Sequence, residues 1–141
     1  MKNKLNNLSH DIIGSAIEVH RELGPGLLES VYRKCLAKLL RDKGYKVEEE
    51  ICFPLIFKGE VIEEKAYRLD LLVEDLVIVE IKSVESMKKL FSMQTLTYLK
   101  QTRRQLGLLI NFNVPILKDG INRIVNGFEE TPSVVSAPPR G

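Results

Sequence analysis

Asp70, Glu80 and Lys82 are the residues through which chemistry enters this sequence. They interrupt two apolar runs, Leu69 to Val73 and Leu76 to Ile81, inside the stretch YRLDLLVEDLVIVEIKS from Tyr67 to Ser83. A carboxylate centred in an otherwise buried run, as Glu80 is in VIVEIK, is costly unless it is paired or liganded. Glu74-Asp75 lies between the runs and reads as a tight turn, which makes the stretch a β-hairpin. With Glu74, Asp75 and Leu76 as the loop, Val73 faces Val77, Leu72 faces Ile78, Leu71 faces Val79 and Asp70 faces Glu80. Directly opposed residues share a face, about 4.5–5.5 Å apart. Lys82, two residues past Glu80, falls on that face too. A loop one residue shorter or longer would put the carboxylates on opposite faces. In the preferred register they repel by about 3 kcal/mol at roughly 5 Å and an effective dielectric near 20. A raised pKa, the Lys82 ammonium or a divalent cation would offset that. Two hard carboxylates suit Mg²⁺ or Mn²⁺, and a neighbouring lysine can orient a water and stabilise an oxyanion. The bland alternative is an ordinary hairpin with Asp70 and Lys82 at its solvated ends.

The elements that must position these groups follow from patterning. Leu8 to Leu23 has apolar residues at helical spacing, with Ser9 or Asp11 as the N-cap. His20 lies near that face and reads as a hydrogen-bonded helix-end histidine. Gly24-Pro25-Gly26 breaks the helix. A second helix runs from Leu27 to Lys43 and stops at Gly44. Glu29 in its first turn complements the helix dipole. It also stands at the edge of the buried face, from which a carboxylate can reach a site between helix and sheet. Tyr45 to Phe57 reads as a strand in which Pro54 marks an edge or a bulge. Lys58-Gly59 turns the chain back toward Tyr67, so three antiparallel strands form a meander. Ser86, as N-cap, opens a helix to Thr102 whose inner face is Met87, Leu90, Phe91, Gln94 and Tyr98. Gly107 to Phe112 is a short strand, placed parallel to the Glu80 strand by the helical crossover. A last strand is expected between Val114 and Val125. The order is α-α-β-β-β-α-β-(β), an α/β fold with a mixed β-sheet flanked by helices.

A length of 141 residues allows one domain with a real core, taken as residues 1–130. From Thr131 on, TPSVVSAPPRG reads as a disordered tail. A net charge of +2 argues against a strongly basic, sequence-independent nucleic-acid coat but allows a local basic groove. Cys35 and Cys52 are isolated, with no CxxC, which fits a reducing cytoplasm and not a disulfide scaffold or a zinc site. The start MKNKLNNLSHD has no secretory h-region. No apolar run reaches the roughly 18 residues of a membrane span.

Asp70, nine intervening residues and then Glu80-Ile81-Lys82 resemble the PD-(D/E)XK phosphodiesterase signature, with Leu69 where that motif has proline. Gly26-Leu27-Leu28-Glu29-Ser30-Val31-Tyr32 resembles the signature of the GxxExxY family within that superfamily, and His20 with Leu23-Gly24-Pro25-Gly26 resembles its lead-in. Arg68-Leu69-Asp70 and Val79-Glu80-Ile81-Lys82 are similar to its core motifs, Gln94-Thr95-Leu96-Thr97-Tyr98-Leu99 to its QxxxYL motif, and Leu108-Leu109-Ile110-Asn111-Phe112 to the strand that follows. The resemblance runs from about Ile12 to Arg123.

It implies a PD-(D/E)XK (restriction-endonuclease-like) core and a Mg²⁺- or Mn²⁺-dependent nuclease acting on nucleic acid, DNA foremost. Glu29, Asp70 and Glu80 match the acidic residues that hold metal, Lys82 the catalytic lysine, and Gln94 with Tyr98 the accessory pair. Lys88, Lys89, Lys100, Arg103 and Arg104 are the expected phosphate contacts, or else a solvated helix face. Two other readings stay open. One is a non-catalytic nucleic-acid-binding module, and the other is a protein-assembly module that forms a homodimer through its N-terminal helices.

Overall fold

A computed structural model describes residues 2–127; the tail expected from Thr131 lies outside the described residues. The chain forms α1 (Lys2–Leu23), α2 (Glu29–Asp42), β1 (Val47–Phe57), β2 (Glu60–Val73), β3 (Val77–Lys82), α3 (Lys89–Thr102), β4 (Leu106–Asn111), a short 3-10 turn (Leu117–Gly120) and β5 (Ile121–Val125). Among the described residues the sheet has five strands in the order β1-β2-β3-β4-β5. The β3–β4 pair is parallel and the others are antiparallel. This is the mixed, helix-flanked sheet and the element order that the patterning predicts.

The central strands β3 and β4 are buried along almost their whole length, as continuous apolar runs with both faces covered should be. One face packs on α1 and α2 through Ile12, Ala16, Tyr32, Leu36, Leu71, Val79, Ile81 and Phe112. The other holds a smaller cluster of Leu69, Leu72, Ile78 and Leu99 beneath α3. At β1, the register shifts on either side of Leu55, beside Pro54, and the strand lies at the sheet edge. Both fit a residue that cannot donate to a ladder.

Helix starts differ from expectation. α1 begins at Lys2, because Leu5 and Leu8 already pack into the core. Ser9 is therefore no cap: it is buried mid-helix and accepts a hydrogen bond from Arg123 Nη1 at 2.7 Å. Asp11 accepts one from the Tyr45 hydroxyl. α3 begins at Lys89, and Lys88 at its N-cap makes no side-chain cap bond, so Ser86 does not cap it either. Its buried residues are Thr95 and Leu99, while Leu90, expected inside, is 64 % exposed. Apolar residues occur all round this helix, so periodicity leaves its rotation open.

Candidate active site

The loop Glu74–Leu76 joins β2 to β3 in the expected register, with Val73↔Val77, Leu72↔Ile78 and Leu71↔Val79 paired. Glu74 and Asp75 both take left-handed φ, +54° and +59°, as consecutive residues of so tight a turn require. The pairing then stops one step before the carboxylates. There Glu80 Oε2 accepts the Asp70 N–H at 3.0 Å, and Asp70 Oδ2 accepts the Ile81 N–H at 2.8 Å. Each carboxylate takes the place of a carbonyl on the facing strand. Alternation breaks at the same point. Leu69 and Leu72 pack beneath α3, whereas Leu71 and Val73 pack beneath α1 and α2. Asp70 and Glu80 are thus brought together, but through side-chain bonds to main chain and not as an ordinary cross-strand pair.

Only one oxygen of each carboxylate is used in this way. Asp70 Oδ1 and Glu80 Oε1 make no hydrogen bond among the described residues. Glu80 is 4 % exposed. Burial, reinforced by the Asp70 charge, pushes its pKa up to about 8; the Asp70 N–H and the Lys82 charge act the other way and are outweighed. Asp70 is raised as well, chiefly by burial, against the opposing pull of the Ile81 N–H and of Lys82. Lys82 lies on the last residue of β3, with Nζ 4.4 Å from the centre of the Phe91 ring on α3. A half-buried aspartate and a buried glutamate with two unshared oxygens beside one lysine are a set that a hard divalent cation fits.

Glu29 arrives from the other side. Its Oε2 accepts the Ser83 N–H at 3.1 Å, and Ser83 Oγ donates to the Leu27 carbonyl at 2.7 Å. The start of α2 is thereby tied to the residue after Lys82. Among the described residues no three His, Cys, Asp or Glu side chains stand together closely enough to hold one ion. Asp70 and Glu80 are joined through main-chain N–H groups, while Glu29 is tied to Ser83 on the neighbouring side, close enough for its charge to raise the proton affinity of both.

Two residues whose roles patterning missed set this geometry. The Tyr32 hydroxyl donates to the Gly24 carbonyl at 2.6 Å and accepts the Leu27 N–H at 3.0 Å. Its ring stacks on Phe112 with centroids 4.4 Å apart. It thus clamps the loop that delivers Glu29, a loop in which Gly24 and Gly26 take φ of +75° and +97°. Asn111, 3 % exposed at the end of β4, holds the segment after Lys82. Its Nδ2 donates to Val84 O at 3.0 Å, and its Oδ1 accepts the N–H groups of Val84 and Asn113, each at 3.1 Å. A lone amide in the run LLINF was its only signal in the sequence.

On α3, Tyr98 is half-buried and stacks on Tyr67 at 4.7 Å. Burial raises its pKa, and the charges of Glu80 and Asp70 add to that effect. Gln94, one turn earlier, is exposed. Lys88 and Lys89 stand at the start of α3, the end that carries Phe91 beneath Lys82. Lys100, Arg103 and Arg104 stand at the other end; Lys100 is about 16 Å along the helix from Lys89. Arg104 is taken up by Asp75 in the hairpin loop, with Nη2–Oδ1 at 2.7 Å and Nε donating to the backbone oxygen at 3.0 Å. Of the five cations expected on phosphate, the structure brings Lys88 and Lys89 to the site's end and leaves the other three away from it. His20 is the helix-end histidine expected, with Nε2 2.8 Å from the Val114 carbonyl.

A family model of the PD-(D/E)XK nuclease superfamily matches residues 6–124. No curated protein and no solved structure matches the chain.

Proposed function

The chain belongs to the PD-(D/E)XK nuclease superfamily, and on that premise we propose that it is a divalent-metal-dependent nuclease that hydrolyses phosphodiester bonds of nucleic acid, DNA foremost. The observation that carries this reading is the pair of half-buried Asp70 and buried Glu80, with two unshared carboxylate oxygens beside Lys82. Within the superfamily we assign the chain to the GxxExxY family, on Gly26, Glu29 and Tyr32.

Asp70 and Glu80 would hold Mg²⁺ or Mn²⁺, with Glu29 nearby on the Ser83 side. Such an ion, when bound, polarises a phosphate oxygen and lowers the pKa of a water. The residues of the chain do the rest. The Asp70 and Ile81 N–H groups hold the two carboxylates in fixed orientations before any ligand arrives. Glu80, whose proton affinity is raised, would release its proton to solvent on loading, so loading would be stronger at higher pH. The Lys82 ammonium, placed over the Phe91 face, orients the attacking water and counters charge developing on the phosphate. Tyr98 remains protonated and offers an O–H at the α3 rim, with Gln94 beside it. Lys88 and Lys89 contact the substrate backbone. Free Cys35 and Cys52 suit a reducing cytoplasm, and no helix among the described residues is long and apolar enough to cross a membrane.

The test is calorimetric titration of Mn²⁺ and Mg²⁺ into wild type and Asp70→Ala, with plasmid, single-stranded DNA and RNA cleavage followed in parallel. The expected outcome is binding and cleavage in the wild type and neither in the variant. A folded wild type that binds no metal, even with DNA present, would refute the nuclease reading and favour a binding or assembly module.

A further inference from the structure

Two residues before Asp70, β2 carries a cation that the site has not used. Arg68 lies on the side of the sheet away from Tyr67 and Leu69, which pack beneath α3. Its Nη1 is 3.5 Å from Glu50 Oε2, and Arg33 Nη1 approaches the same oxygen at 3.4 Å. Arg33 Nε is hydrogen-bonded to Glu49 Oε1 at 3.2 Å, and Arg41 takes the other oxygen of Glu49 at 2.9 Å. Three guanidiniums thus share two carboxylates, leaving a local excess of one positive charge.

Glu50 stands opposite Asp70, between the pairs Glu49↔Leu71 and Ile51↔Leu69. Its φ of +49° lies in the left-handed region, which non-glycine residues seldom occupy and which the surroundings must hold in place. This left-handed residue therefore falls where Glu50 meets both arginines, next to the acidic pair. Arg33 follows Glu29 by one helical turn, and its charge is a minor one opposing the rise that burial imposes on the Asp70 pKa.

The two arginines differ in what remains free. Arg33 has a side chain only 13 % exposed and is engaged by two carboxylates. Arg68 has a side chain 59 % exposed and a single long contact, a weak hold for a surface ion pair. Its Nε and Nη2 make no hydrogen bond among the described residues. A guanidinium fork with open donors suits a phosphate. Arg68 and Asp70 lie two positions apart on β2, about 7 Å of backbone, a length on the scale of the separation of successive phosphates along an extended nucleic-acid strand. We propose that Arg68 binds the phosphate adjacent to the one cleaved at Asp70 and Glu80, with Glu50 and Arg33 as the residues that position it. This deepens, and rests on, the nuclease reading above.

Binding of short fluorescent DNA oligonucleotides, duplex and single-stranded, tests it. Anisotropy is measured in EDTA, so that nothing is cut, from about 50 to 200 mM salt, for wild type, Arg68→Ala, Arg68→Lys and Arg104→Ala. Arg68→Ala is expected to bind about tenfold more weakly at the low-salt end. Its plot of log affinity against log salt should be shallower by about 0.9 on duplex or about 0.7 on single strands. Arg68→Lys restores the slope but not the full affinity. Mn²⁺ affinity and thermal midpoint stay at wild-type values in both variants, a result that a merely structural role would not give. The proposal is overturned by wild-type slope and affinity in Arg68→Ala, by an equal change in Arg104→Ala, or by a wild type that binds neither oligonucleotide. A wild type that cuts DNA while Arg68→Ala is unaltered removes this assignment alone. A wild type that binds no Mn²⁺ and cuts nothing refutes the nuclease reading instead.

Discussion

Replacing Glu80 with glutamine removes its titratable group while keeping the shape of the site. Glutamine retains the oxygen that accepts the Asp70 N–H, and it removes a carboxyl group whose pKa is pushed from 4.5 up to about 8 by burial and by Asp70. Because the folded-state value lies above the unfolded one, the folded protein keeps a proton that the unfolded chain releases. The stability this contributes is complete below about pH 4.5 and is lost as pH rises through about 8. Inside that window the slope approaches one proton, about 1.4 kcal/mol per pH unit. Raising the pH from about 5 to 8 therefore costs the metal-free wild type about 3 kcal/mol, a large share of the roughly 5–15 kcal/mol that holds a domain folded. Urea unfolding followed by circular dichroism in chelator, across that range, measures it. The stability of the wild type is expected to fall with pH relative to Glu80→Gln, leaving the variant the more stable protein at the alkaline end. Mn²⁺ at a hundred times its dissociation constant should return about 2.7 kcal/mol to the wild type and little to the variant. Parallel pH profiles would refute the reasoning. They would mean that the N–H of Asp70 and the Lys82 charge already balance burial, leaving Glu80 ionised in the folded state.

Two further outcomes concern the residues that hold the site. Asn111→Leu leaves the Val84 N–H and carbonyl and the Asn113 N–H without the partners they have now. It is expected to cost about 2–4 kcal/mol in urea unfolding, since buried unpaired groups lose their full solvation, and to lower cleavage beyond any effect on Mn²⁺ affinity, because Lys82 precedes the released segment. Tyr32→Phe keeps the stack on Phe112 but loses the hydroxyl's two bonds to the Gly24–Leu27 loop. A loss of about 1–2 kcal/mol is expected in the same assay; an unchanged midpoint would show that the loop holds itself.

Much of the fold was legible because it is written in local patterns. β3 and β4 are uninterrupted apolar runs, and α2 has a clean helical period ending at Gly44. Glu74 and Asp75 between two such runs mark the hairpin, and the folded chain takes the preferred one of the registers that this placement allows. The start of α1 was not legible, since the polar residues around Leu5 give no local reason for a helix; packing of Leu5 and Leu8 on the core extends it to Lys2. The rotation of α3 was not legible either, because Leu90 and Leu99 are equally apolar and only the neighbouring sheet face chooses between them.

The candidate site divides along the same line. Asp70, Glu80 and Lys82 stand out in the chain by themselves, as charges where buried strands should have none, and Glu29 by its place in the first turn of α2. Which of these charges meet is a tertiary matter. The strands part beside Leu71↔Val79 and let each carboxylate take a main-chain N–H, and burial under α3 sets the high proton affinity of Glu80. Meanwhile Glu29 is drawn to Ser83 and Arg104 to Asp75. Spacing along a chain reports which groups exist and which face of an element they share. Proton affinity and charge pairing depend on desolvation and on partners distant in sequence, and only the folded chain supplies those.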